Sequence, residues 1–301
     1  MMKRQLTRTH CNGNVKTSQK PVLRRAPEFP KIRKYLTREI EDERSSTSDL
    51  VEEGVLQQSP KLSWKTALMG MLGFSSVSYD VFGAQSLHLL QPVDDWGHAM
   101  AQSFDPSVRE WLWRILVSDT SIAAGTAGWL AMTVLLITQQ GTRTWDPKPI
   151  FVLLLSWAFN CSVAGTAVKD PWVIAFLKES FHRLRPSPVL SSFSYPSGHT
   201  SAATFLVASL LFILIPLALR QRPDLAQRFS FLEALQGSWA LLGTAWVMTA
   251  VGRVFGDAHW VSDTIAGGFL TLGAASLLSM CSEFVLGLSK ISVPENEKVI
   301  R

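Results

Sequence analysis

Thr200–Leu219 reads TSAATFLVASLLFILIPLAL, twenty residues without Asp, Glu, Lys or Arg, and it begins directly after Pro196-Ser197-Gly198-His199. About 20 apolar residues carry a helix across a bilayer core. Four further stretches share this character: Thr120–Thr142, Pro149–Val168, Ala234–Gly252 and Thr264–Ser282. One such run could be the buried helix of a large soluble protein. Five within 170 residues argue for a membrane protein. The expected fold is all-α, a polytopic helical bundle of about six transmembrane helices.

The sixth span is the least regular. Thr66–Tyr79 is uncharged but short, contains Gly70 and Gly73, and is followed by Asp80. Trp64–Leu90 is therefore expected to be a broken or partly interfacial first helix. Ser103–Ser118 mixes Trp111 and Trp113 with Arg109 and Arg114, which suits a helix lying at the membrane interface.

The chain divides into residues 1–63, a membrane domain over 64–286, and a tail over 287–301. Residues 1–27 hold basic side chains and no acid before Glu28. This composition fits either an organelle transit peptide, such as one for the chloroplast, or a plain disordered basic tail. The net charge of +5 resides largely in this arm and the loops. No basic stripe with interleaved aromatics accompanies it, so nucleic acid is not an expected partner; the lipid bilayer is. Cys11, Cys161 and Cys281 show neither a disulfide framework nor a metal-ligand spacing.

Three clusters punctuate the spans: Lys178-x6-Arg185-Pro186, Pro196-Ser197-Gly198-His199 and Arg253-x5-His259-x3-Asp263. The first two lie before Thr200–Leu219, and the third lies after the next span returns. All three therefore emerge on one face. An odd number of intervening spans would have set them a bilayer apart.

Their chemistry suits a phosphate. A phosphoryl group in transfer carries negative charge on its equatorial oxygens, which fixed cations must meet. Lys178, Arg185 and Arg253 supply those cations. Ser197 and Gly198 stand at a helix N-terminus, where backbone N–H groups favour anions. If 259–263 is helical, His259 and Asp263 share a face. The carboxylate then fixes the imidazole tautomer and leaves the other nitrogen free to attack. His259 is the expected nucleophile, Asp263 its orienter, and His199 the acid and base that protonates the leaving oxygen and activates water. No carboxylate cluster accompanies these residues, so neither a cofactor nor a divalent ion is expected. His182 and Arg183 match no required position and read as loop or rim residues. His88 and His98 show no partner pattern.

The three clusters resemble the signatures of the type 2 phosphatidic acid phosphatase and vanadium haloperoxidase superfamily, K-x6-RP, PSGH and SR-x5-H-x3-D. The resemblance implies a membrane phosphatase that acts on lipid phosphates such as phosphatidate through a phosphohistidine. Prenyl diphosphates and sugar phosphates are alternative substrates, and a non-catalytic lipid-binding member is a third reading. Gly252 departs from the pattern, since the family usually carries Ser there, with a hydroxyl near the phosphate pocket. Loop cations are denser on the face opposite the clusters, so the positive-inside rule sets the clusters away from the cytosol or stroma.

Overall fold

A computed structural model of the chain describes residues 61–139, 147–165, 171–221 and 223–287. The N-terminal arm to residue 60 and the tail from residue 288 lie outside the described residues, as does much of the loop charge.

Every regular element among the described residues is helical. They are α1 (Trp64–Phe82), α2 (Gln91–Gln102), α3 (Pro106–Thr138), α4 (Pro147–Ala164) and α5 (Trp172–Phe181), followed by α6 (Gly198–Gln221), α7 (Pro223–Arg228), α8 (Phe231–Leu235), α9 (Trp239–Phe255) and α10 (Val261–Leu286). Four of them, α3, α4, α6 and α10, are long and apolar enough to cross a membrane.

The stretch that opened the sequence reading is the axis of the bundle. A helix apolar on every side is normally buried, and α6 packs against α3, α4, α9 and α10. Phe205, Leu206, Ala208 and Leu214 are wholly enclosed by these neighbours. The outer helices instead expose Leu130, Val134 and Ile137 on α3 and Phe151 and Leu154 on α4. These side chains suit lipid tails.

The helix limits add detail. The helix expected at the interface over 103–118 begins at Pro106 and runs into the following span as the single 33-residue α3. Its Arg109–Val117 portion is a π-type stretch with an enlarged turn. The span expected over Ala234–Gly252 is interrupted, with its continuous helix beginning at Trp239, because Gly237 in the left-handed region (φ 66°) separates α8 from α9. At 17 residues α9 covers about 26 Å by the helical rise, slightly less than a full hydrocarbon core. It still runs antiparallel to α6: Trp239 stacks near Phe212, deep along α6, while Arg253 reaches the end where α6 begins.

Of the expected first segment Trp64–Leu90, the helix covers Trp64 to Phe82 and stops at Gly83. It lies antiparallel along α10 for its full length. At one end Lys61 pairs with Glu283 at 3.4 Å; at the other Ser78 Oγ meets Tyr195 Oη at 2.6 Å. The approach is close enough to exclude side chains, since a Cβ on Gly70 would fall 2.5 Å from Gly273 N. Small residues permit this kind of helix contact in membranes. The glycines that made the segment look broken are thus its packing surface.

Candidate active site

Three helix ends converge at one end of the bundle: the start of α6, the end of α9 and the start of α10. Each is shaped by local chemistry. Ser197 caps α6, its Oγ accepting from Thr200 N at 3.4 Å and from Thr200 Oγ1 at 3.1 Å, as N-cap serines do. Asp263 Oδ2 accepts from Trp260 N at 3.0 Å and so turns the chain into α10. Between them, Asp257 adopts φ 56° and buries its carboxylate. That carboxylate accepts from Gln102 Nε2 at 2.7 Å, contacts His98 Nδ1 at 2.9 Å and Arg109 Nη1 at 3.4 Å, and so ties the 256–260 turn to α2 and α3. His98, without a partner pattern in the sequence, therefore has one in the fold.

His259 lies at the centre, its side chain 1% exposed. Nδ1 faces Asp263 Oδ2 at 3.4 Å, and Nε2 faces Arg185 Nη1 at 3.1 Å. An arginine only donates, so Nε2 is the acceptor and the ring proton belongs on Nδ1, toward the carboxylate. Burial holds the imidazole well below its usual 6.5, and Arg185, Arg253, Lys178 and His199 add to the effect. Arg185, Arg253 and Lys178 thus lie close enough to bear on the charge of this ring. Arg185 is fixed by further bonds to Ser192 O (2.9 Å) and Ala258 O (2.7 Å). Burial also lowers its own pKa. Arg253 is buried, and its Nε has no hydrogen-bond partner among the described residues. Together these groups can hold an anion against a neutral, lone-pair-bearing nitrogen.

The PSGH segment is used differently from the expectation. Ser197 N–H donates to Asp263 O at 3.0 Å, so that amide is already engaged and its residue acts as a cap and strut. Gly198 keeps open space: a Cβ there would meet only Ile174 Cγ2, at 3.6 Å. His199 is 43% exposed at its side chain, with Nε2 3.7 Å from Asp119 Oδ1 on α3.

Arg183, expected at the rim, is instead an internal ion-pair partner. Nη1 contacts Asp263 Oδ1 and Ser262 Oγ, both at 2.6 Å, and Nη2 donates to Asp94 Oδ2 at 2.8 Å. Sequence reasoning missed this residue, along with Asp94 and Asp119. Asp94 and Arg183 are 89 residues apart, and no spacing rule reaches that far. The pattern Arg183-x-Arg185 was the one available signal.

Gly252, the departure from the usual serine, has a steric cause. A Cβ here would fall 2.6 Å from Ser118 N and 2.7 Å from Trp113 O. The π-type turn of α3 occupies the space a serine would need. Gly256, one turn on, meets Arg114 Cβ in the same way at 3.0 Å. Gly252→Ser should therefore lower stability by about 1–3 kcal/mol, the usual cost of overpacking, and reduce turnover by displacing Arg114 and Asp119. A melting curve in detergent checks this, and an unchanged Tm would show that α3 yields freely.

Among the described residues no group of three His, Cys, Asp or Glu side chains is placed to hold a metal ion. A groove of about 470 Å³ runs along α1 beside Phe269 and touches none of these site residues.

No curated protein matches the chain. Among solved structures, a transmembrane PAP2 type phosphatidylglycerolphosphate phosphatase from Bacillus subtilis is 20% identical; the match covers 73% of this chain and 96% of that one, with a TM-score of 0.47. A family model, that of the PAP2 superfamily, matches residues 168–285. That interval contains all three clusters and the helices α6, α9 and α10 that bring them together, and it is over this part of the chain that the protein is similar to the PAP2 superfamily.

Proposed function

We propose that the protein is an integral-membrane phosphatase that hydrolyses lipid phosphate monoesters such as phosphatidate, releasing diacylglycerol, without a divalent ion. One observation carries the reading: His259 Nε2 is an acceptor held 3.1 Å from Arg185, while Nδ1 faces the Asp263 carboxylate. This is the tautomer a nucleophilic histidine needs, set beside the charge its target carries.

In the first step Nε2 forms a bond to phosphorus as the bond from phosphorus to the lipid oxygen breaks. His199 gives a proton to that oxygen, and diacylglycerol leaves. In the second step His199 takes a proton from water, which attacks the phosphohistidine. Orthophosphate leaves and His259 is restored. Arg185, Arg253 and Lys178 neutralise the equatorial oxygens throughout. Asp263 balances the positive charge that His259 gains on attack.

Exposed apolar side chains near the site favour a substrate with a lipid tail. Leu184 and Val189 project from the loop after α5, and Trp172 and Phe176 from α5 itself. A second reading, a prenyl or other diphosphate, is favoured by one further cation, since Arg114 also bears on Arg185.

The test is a panel of phosphatidate, a prenyl diphosphate and glucose 6-phosphate presented to the purified protein in mixed micelles. Phosphatidate should turn over fastest, equally well in chelator, and vanadate should inhibit as a trigonal mimic. Faster release from glucose 6-phosphate would overturn the lipid assignment. Activity lost in chelator and restored by magnesium would overturn metal independence.

A further inference from the structure

The carboxylate that orients His259 is itself held from behind, by a group that is none of the required residues of the three clusters. Asp263 Oδ1 is bound by Arg183 Nη1 at 2.6 Å, which is shorter than the 3.4 Å from Oδ2 to His259. Arg183 is anchored in turn. Nη2 donates to Asp94 Oδ2 at 2.8 Å, its carbonyl accepts from Ser194 N at 2.8 Å, and its guanidinium lies 5.4 Å over the Trp260 ring. Asp94 also accepts from Ser262 N at 2.8 Å and from Ser262 Oγ at 2.6 Å. Asp94, Ser262 and Asp263 are all essentially without solvent exposure.

Two carboxylates buried this close cannot both remain charged unless a cation lies between them. The planar fork of an arginine meets both at once, one nitrogen to each. Burial works against the guanidinium charge, but Asp263 and Asp94 prevail and raise the Arg183 pKa above the ordinary arginine value. The remaining negative charge of the trio is directed at His259 Nδ1.

The geometry points to Arg183, held by Asp94 on α2, as a positioning residue for the nucleophile. It keeps Asp263 ionised and in the one rotamer that aims His259 Nε2 at phosphorus. This assignment rests on the nucleophile reading above. It gives α2 a task in the chemistry, although no residue of α2 belongs to any of the three clusters.

The experiment is a double-mutant cycle with dioctanoyl phosphatidate in detergent micelles. Partners that support metal ligands through a bond of this kind are worth roughly 10- to 100-fold, and a similar loss is expected in kcat for Arg183→Gln, with KM changed less than about threefold. Arg183→Lys should recover part of that loss, because lysine keeps the charge without the fork. In an Asp263→Asn background, Arg183→Gln should cost less than about threefold, since its target has been removed. The same fold-loss in both backgrounds would overturn the inference, as would an unchanged kcat in the single variant. If Arg183→Gln does not fold, as judged by its melting curve, Arg183→Lys and Asp94→Asn carry the cycle under the same criteria. Retained turnover in His259→Ala would refute the nucleophile reading itself. Additive losses at 183 and 263, with His259→Ala inactive, would refute this inference alone.

Discussion

His259→Ala is expected to lose at least about 10⁴-fold in kcat, the scale seen when a covalent nucleophile is removed. Among the described residues no other group is placed to take its part. His199 is the nearest alternative imidazole, but it lies against Asp119 rather than Asp263 and has much greater exposure. Rapid quenching with radiolabelled phosphatidate should trap an acid-labile phosphoenzyme in the native protein and none in the variant. Full turnover by the variant would sink the nucleophile assignment. The same residue sets a pH expectation. Its pKa is depressed, so Nε2 keeps its lone pair at neutral pH and is protonated only as pH falls well below 6.5. The acid limb of kcat/KM for the free enzyme should therefore turn below 6.5, once the second ionisation of the substrate, near pH 6, is allowed for. A limb at or above 6.5 attributable to the enzyme would contradict the buried, cation-ringed site.

Arg185→Lys is expected to be nearly as damaging as Arg185→Ala, with roughly 10²- to 10³-fold lost in kcat/KM. The guanidinium does three things at once. It is locked by Ser192 O and Ala258 O, it faces His259 Nε2, and it presents charge where phosphate oxygens would sit. A lysine keeps the charge but has no second nitrogen with which to hold the turn at Ala258. Vanadate inhibition should weaken in parallel, which distinguishes lost anion binding from lost proton transfer. A lysine variant within about threefold of native would mean that charge alone matters at this position.

The two expectations differ in how readable their residues were. His259, Arg185 and Asp263 are visible because their spacing is local: one helical turn, or a fixed loop length, joins each to its cluster. Parity then brought the clusters to one face without any knowledge of packing. Arg183 and Asp94 were not readable. Their bonds span 80 or more residues, and α2 carries no apolar run to mark it. The apparent gap at Gly252 could be seen in the sequence but not explained there, because its cause is the backbone of α3 pressed against it. The small residues of the first helix were visible in the sequence, but their use was not. Glycine and serine lower apparent hydropathy, and only α10 at backbone distance shows that those small residues are an interface.

By itself the sequence determined the class of fold, the placing of the three clusters on one face, and the residue types that a phosphate requires. These follow from solvation and from local geometry, since uncharged runs of sufficient length seek lipid or a protein interior and short spacings fix neighbours. The tertiary structure alone decided which amides are already engaged, where the charge behind His259 is anchored, and why a glycine stands at 252. Those depend on contacts between segments far apart in the chain, where sterics and charge balance act on side chains that no spacing rule connects.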